Sequence, residues 1–306
     1  MRVLVTGGAG FIGSHIVDAL IANGDTVDVI DNLSTGFKRN VNKEAGFYQL
    51  CFDDPETEDI LKNGYDIIIH QAAQIDLRKS IEDPSVDLQN DVVATVKLIK
   101  RAVENNVKHF LFASSGGAIY GEQDYFPADE NHKINPSSPY GLNKWIIERY
   151  LNYFCEQYGL KYTALRYANV YGPRQNHLSE AGVVSIFANY LLEDRECIIN
   201  GSGEQTRDFV FVSDVVEANL AAIQKGYHGE INIGTGEEVS VNQVFNTIKD
   251  LTGSDQIEKH GPEKKGEQFR SVLSFEKAKK ELNWQPVISF NEGIKRTVQY
   301  FKNMSK

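Results

Sequence analysis

The chain of 306 residues carries 32 basic and 42 acidic side chains, a net charge of -10, with 41% apolar and 24% charged residues. This is the composition of a folded globular protein of one large or two coupled domains, and it excludes intrinsic disorder. The acidic balance also works against nonspecific binding to nucleic acid or anionic membranes, so an anionic ligand must be held by a few local donors.

The first apolar run, VLV at 3–5, reads as a strand and is too early and too short for a signal peptide. Gly7, Gly10 and Gly13 follow it and lead into a helix marked by Ile12, Ile16, Leu20 and Ile21. Glycines at a strand–helix junction allow a tight turn, close approach of backbone N–H groups to a pyrophosphate, and close helix packing, while the helix N-terminus favours the anion. A second strand, VDVI at 27–30, ends at Asp31. A carboxylate there accepts from ribose hydroxyls and repels a 2′-phosphate, which favours NAD over NADP.

Further strands are expected at 66–69 and 110–112, with a helix at 92–104 between them. Strands alternating with helices give a parallel sheet covered on both faces. After the second of these strands comes ASSGGAIYG, Ala113 to Gly121, two hydroxyls and two glycines before a tyrosine. In SPYGLNKW, Tyr140 and Lys144 lie four apart near the start of a helix at 140–158 and so share a face. A nearby ammonium stabilises a phenolate and makes tyrosine an acid/base near neutral pH, although such a pair arises about once by chance in a chain of this composition.

A strand at 162–167 follows, then loops rich in Asn, Gly, Pro, Arg and Gln; a strand, cap and helix at 209–223 and a strand at 231–234 return toward the sheet. The expected fold is therefore α/β, a Rossmann-type doubly wound parallel sheet with a smaller C-terminal substrate-binding lobe. The boundaries are 1–170 for the NAD-binding domain, with a return at about 209–235, and 171–208 plus 236–306 for the lobe. Three separated cysteines, Cys51, Cys155 and Cys197, form no CxxC pair and fit a reducing, cytoplasmic setting. No run reaches the roughly 18 apolar residues that span a bilayer. The seven histidines have no metal-ligand spacing, so no metal is expected.

The glycine triplet, Asp31, HQAAQ at 70–74, SSGGAIYG, SPYGLNK, RYANVYGPRQ at 166–175 and RDFVFVSDVVEA at 207–218 together resemble the extended short-chain dehydrogenase/reductases. Within them the chain is similar to the nucleotide-sugar epimerases typified by UDP-glucose 4-epimerase, over residues 1 to about 300. The resemblance implies NAD-dependent 4-epimerisation of a UDP-hexose through a 4-keto sugar, with tightly retained cofactor, a UDP-sugar as partner, and a homodimer formed through the helices near 84–104 and 140–158.

By the same resemblance Tyr140 is the proton-transfer group, Lys144 also reaches the nicotinamide ribose, and Asn169 contacts the sugar nucleotide. Cofactor contacts are implied at Gly7, Gly10, Phe11, Ile12, Gly13, Asp31, Asn32, Ser34, Thr35, Gly36, Asp53, Gln71, Ala72, Ala73, Gln74, Asn90, Tyr140, Lys144 and Tyr167. Substrate contacts are implied at Ser115, Gly116, Tyr140, Asn169, Arg207, Lys264, Glu267 and Ser271.

The chain departs from the family's pattern in three places. The usual catalytic hydroxyl falls on Gly116, which leaves Ser115, moved by the flexible glycines, or water to assist Tyr140. The acid near the adenine is Asp53 or is replaced by Cys51, and the asparagine expected before Val92 appears as Asp91, with Asn90 beside it. Ser271 stands where a bulky tyrosine narrows the space for the sugar 2-substituent, which implies acceptance of N-acetyl hexoses. Competing readings are a nucleotide-sugar 4,6-dehydratase, disfavoured because Gly116-Gly117 replaces its Asp-Glu pair, another nucleotide-sugar oxidoreductase, and a non-catalytic NAD-binding protein.

Overall fold

The computed structural model describes residues 1–73, 82–176, 182–263 and 268–304. The strands run, in chain order, β1 (Arg2–Thr6), β2 (Thr26–Ile30), β3 (Gly46–Tyr48), β4 (Ile67–His70), β5 (His109–Ser115), β6 (Lys161–Tyr167), β7 (Asn169–Tyr171), β8 (Ile198–Asn200), β9 (Thr206–Arg207), β10 (Phe209–Phe211), β11 (Gly229–Ile233), β12 (Val239–Ser240), β13 (Lys259–Gly261) and β14 (Arg270–Ser271). Seven of them form a parallel sheet in the order β11-β6-β5-β4-β1-β2-β3. The order reverses between β1 and β4, and the crevice outside the strand ends at such a reversal is where α/β sheets bind ligands.

Sequence alternation explains how the sheet is clad. Val3 and Val5 point to one face, where the helix Phe11–Ala22 and the helix Val212–Lys225 cover them. Leu4 and Ile68 point to the other, under the helices Ala94–Glu104 and Pro139–Tyr158. Burial on both faces is why these strands read as continuous Val/Ile runs. A further core joins the helices Val183–Leu192, Val241–Thr252 and Phe290–Met304, none of which the sequence pattern delimits. The expected return to the sheet is made by β11 and the helix before it; β10 pairs instead with β7 in a separate ribbon. Among the described residues no helix is long and apolar enough to cross a membrane.

The helix Pro139–Tyr158 carries Tyr140 and Lys144, and local chemistry fixes both its ends. Ser138 accepts a hydrogen bond from the Gly141 backbone N–H at 3.2 Å, and Gly159 closes the helix with φ 73°. Gly141 lets the first turn press against the short helix Gly116–Tyr120, since a Cβ there would lie 2.3 Å from the Ala118 carbonyl oxygen. One turn beyond Lys144, Glu148 binds the sheet: Arg166 Nε and Nη2 donate to its two oxygens at 3.0 and 2.7 Å, and Ser114 Oγ donates at 2.6 Å. Glu148 is 0% and Arg166 3% exposed. The third guanidinium nitrogen donates to the Tyr120 hydroxyl at 3.0 Å, which donates to Asn232 on β11 at 2.9 Å.

Removing one member of this network leaves a buried charge without its partner. Glu148→Ala is expected to cost about 3–5 kcal/mol of stability. Denaturant unfolding checks it, and a loss below about 1 kcal/mol would show that water or rearrangement replaces the carboxylate.

Candidate active site

The dinucleotide turn has the geometry its glycines imply. Gly7 adopts φ 73°, and a Cβ on it would lie 2.6 Å from the backbone nitrogen of Ala72. A Cβ on Gly13 would lie 2.3 Å from the Gly7 carbonyl oxygen, so the first helix can reach the turn only as glycine. Gly10 is the extended N-cap, and Phe11 and Ile12 form the first turn, with backbone N–H groups open to an anion. Asp31, at the end of β2, accepts from the backbone N–H of Ala9 at 2.9 Å and of Leu33 at 2.8 Å. It therefore ties the glycine turn to the loop that carries Asn32, Ser34, Thr35 and Gly36. Gly36 packs on Ala9, 2.9 Å away from where its Cβ would be. These glycines let the turn, the first helix and the neighbouring loop pack backbone to backbone, and the helix N-terminus they hold in place suits a dinucleotide pyrophosphate.

Around this loop, Asn32 Nδ2 lies 3.2 Å from Cys51 Sγ, and the Asp53 carboxylate lies 3.8 Å from Lys97 Nζ, so both residues weighed for the adenine side sit at this edge. Gln71 and Ala73 flank Ala72 at the end of β4; Gln71 Nε2 donates to the Tyr167 hydroxyl at 3.1 Å. That hydroxyl also receives Asn219 Nδ2 at 2.8 Å, so it is committed within the protein. Gln74, Lys264 and Glu267 lie outside the described residues.

At the ends of β5 and β6 the catalytic candidates meet. Lys144 is 2% exposed, its Nζ 4.8 Å from the centroid of the Phe112 ring and 5.5 Å from that of Tyr140. Behind Phe112, His70 stacks on the same ring at 6.0 Å and 17°. It is fixed by Thr6 Oγ1 at 2.6 Å and Thr95 Oγ1 at 3.0 Å, and burial, aided by Lys144, pulls its pKa down to about 3. His70 is thus neutral and adds no positive charge beside the lysine. Burial also lowers the Lys144 pKa, while Asp91, Asp87 and Glu148 push it back up.

The phenol differs from the sequence expectation. In the protein by itself burial, then Asp91 and Asp87, hold the Tyr140 pKa above its ordinary value, and the Ser115 hydroxyl opposes them. Burial is the largest of these causes, and the two carboxylates add to it. Asp87 was missed as a site feature, and Asp91 was noted only as standing where an asparagine is expected; their i, i+4 spacing was the available signal. Asp91, rather than the exposed Asn90, is the buried member of that turn.

Substrate-side residues converge on a different glycine from the expected one. Gly116 is turned toward Leu273, whose Cδ1 lies 2.4 Å from the Cβ position, and so faces apolar core. At Gly117 the Cβ position lies 3.3 Å from Ser271 Oγ and 4.0 Å from Asn169 Oδ1. A short helix begins here and successive residues point in different directions, which motif counting cannot resolve. Ser115 caps that helix, its Oγ accepting from Ala118 N at 3.4 Å. Ser271 pairs in register with Arg207 across β14 and β9, and Arg207 Nη1 donates to the Thr206 carbonyl at 2.8 Å.

A glycine-turn dinucleotide site with a Tyr-x3-Lys pair at the neighbouring strand ends defines a nicotinamide-dependent enzyme of the short-chain dehydrogenase/reductase class. The NAD dependent epimerase/dehydratase family matches residues 3–234, and the chain belongs to that family. A protein of Methanocaldococcus jannaschii, whose name provisionally assigns it as a UDP-glucose 4-epimerase, is 46% identical over 99% of both chains. UDP-glucose 4-epimerase of Thermotoga maritima, solved with UDP-glucose, superposes with TM-score 0.96 at 45% identity over 100% of both chains. UDP-N-acetylglucosamine 4-epimerase of Methanobrevibacter ruminantium, solved with UDP-N-acetylmuramic acid, gives TM-score 0.94 at 37% identity over 99% of this chain and 98% of that one.

The orientation of Gly116 decides an experiment. Gly116→Ser should lower the melting temperature and give no gain in turnover, because the new side chain meets Leu273. Ser115→Ala should slow turnover roughly ten- to a hundredfold, the range of a supporting hydrogen bond. Faster turnover in Gly116→Ser would place the working hydroxyl at 116 after all.

Proposed function

We propose that the protein is an NAD-dependent 4-epimerase of UDP-hexoses, working through a 4-keto sugar and accepting N-acetylated as well as plain substrates. The observation that carries the reading is the meeting of Tyr140 and Lys144 with Ser115 at the end of β5, beside Gly117, Asn169 and Ser271. Bound NAD supplies the hydride acceptor and, on the return, the hydride donor. Tyr140 takes the proton of the sugar 4-hydroxyl and gives it back after the ring has turned. Lys144 steadies the phenolate and Ser115 orients the oxygen. Arg207, whose planar fork suits a diphosphate, sits on the strand beside Ser271 and is assigned to the nucleotide end.

A 4,6-dehydratase needs an acid and a base beside the catalytic hydroxyl to eliminate water, and Gly116-Gly117 offers neither. The N-acetyl reading rests on the small side chain of Ser271, beside Gly117, at the position where the resemblance puts a bulky tyrosine in enzymes that exclude an acetamido group. A homodimer is proposed through the exposed apolar face made by Leu142, Tyr150 and Tyr153 with Val86 and Leu88 nearby. A cytoplasmic setting is proposed from the three free cysteines.

Tyr140→Phe should abolish turnover of UDP-glucose while NAD still copurifies, since only the exchanging hydroxyl is lost. A residual rate above about a tenth of wild type would remove Tyr140 from the reaction. Ser271→Tyr should selectively remove activity on UDP-N-acetylglucosamine and spare UDP-glucose. Competition assays with both sugars check this, and an unchanged ratio of the two rates defeats the N-acetyl reading.

A further inference from the structure

A single residue, Asp208, carries the chain from β9 to β10, and it is 2% exposed. Its carboxylate accepts at Oδ1 from the Thr235 hydroxyl at 2.7 Å and at Oδ2 from the backbone N–H groups of Gly236 and Leu273, both at 3.2 Å. The Thr235 N–H is shared between the two oxygens at 2.9 and 3.0 Å. Gly234 permits this approach, since a Cβ there would lie 2.5 Å from Oδ2. Burial pushes the carboxyl up to about 6 and these donors work against the rise, so at neutral pH both oxygens accept. The backbone of Asp208 is engaged as well. Its N–H donates to the Ser271 carbonyl and its carbonyl accepts from the Asn169 N–H, each at 2.9 Å.

These bonds fasten the substrate side to the main sheet. Arg207, the preceding residue, lies on β9 in register with Ser271 of β14, and Asn169 opens β7. Thr235 and Gly236 follow β11, the edge strand of the seven-stranded sheet. Leu273 reaches further: its N–H is held by Asp208, and its side chain presses on Gly116, the residue after Ser115. One carboxylate thus joins the small sheet β12-β9-β14, the ribbon β10-β7, the end of β11 and the catalytic end of β5. Buried backbone donors demand acceptors, so the four segments stay together only while both oxygens are in place. We infer that Asp208 is a positioning residue that, through Asn169, Arg207 and Ser271, sets the affinity for the nucleotide sugar and takes no part in proton or hydride transfer. The inference rests on the epimerase reading for the identity of that ligand.

The test uses NAD-loaded enzyme. Asp208→Asn keeps the shape but turns an amide NH2 toward donors that need an acceptor. KM for UDP-glucose should rise roughly tenfold or more while kcat per bound NAD falls less than about threefold, with NAD still copurifying. The dissociation constant of UDP, measured by calorimetry, should rise by a similar factor. Asp214→Asn is the control for stability alone. Asp214 is 1% exposed and accepts from the backbone N–H groups of Val287 and Ile288, neither of them assigned to substrate. Its variant should lower the melting temperature and leave KM where it is. If Asp208→Asn does not fold, Thr235→Val, which removes one donor to Oδ1, decides, with KM expected to rise about threefold. Unchanged KM and UDP affinity in whichever of the two folds, a loss confined to kcat, or an equal rise of KM in Asp214→Asn overturns the inference. A wild type that turns over no UDP-sugar defeats the epimerase reading, and the UDP titration then decides the role of Asp208. A wild type that binds no UDP overturns both.

Discussion

The bidentate bond between Glu148 and Arg166 is the constraint on which the catalytic geometry depends. Tyr140, Lys144 and Glu148 follow one another at intervals of four along one helix, so a carboxylate pinned to β5 and β6 sets the rotation and height of the two groups before it. The pin holds from one side and Gly141 permits contact from the other. A helix free to roll by even one residue position would carry the phenol away from Ser115. Rigidity here serves placement, and the cost of burying the pair is borne because every nitrogen of the fork finds an oxygen.

Around that fixed frame, and among the described residues, Arg166 and Glu148 offset one another, His70 is neutral, and Lys144 sits where water hardly reaches, its pKa lowered by burial and raised by Asp91, Asp87 and Glu148. In such surroundings a unit charge on a bound molecule has far more influence than at a surface.

Much of the sheet was legible because its strands are buried on both faces, and that condition writes Val and Ile into consecutive positions. Edge strand β3, with its three partly buried residues, has no such signature. The helices of the second core are amphipathic and lie among loops, so composition announced a change of regime without locating them. At the site, spacing sufficed for Tyr140 and Lys144, since a helix turns four residues into one face. It failed at Gly116, where a strand gives way to a helix and neighbouring residues point apart, and at Asn90, where a π turn puts Asp91 inside. Glu148 was visible only as one of several charged residues in its helix; its partner Arg166 lies on another element, and no local rule joins them.

The sheet also imposes an order of assembly on the growing polypeptide. β11 takes its place beside β6 and holds Asn232, an acceptor in the chain of bonds that begins at Glu148. Everything between Tyr167 and Gly229 is synthesised in the interval, including the ribbon that bears Asn169 and the strand β9 that bears Arg207. At some 5–20 residues per second on the ribosome, the nascent dinucleotide half waits several seconds with the flank of β6 bare. An unpaired strand edge is an invitation to other chains. The late arrival of one short segment therefore makes this stretch of translation the period in which the polypeptide most needs shielding.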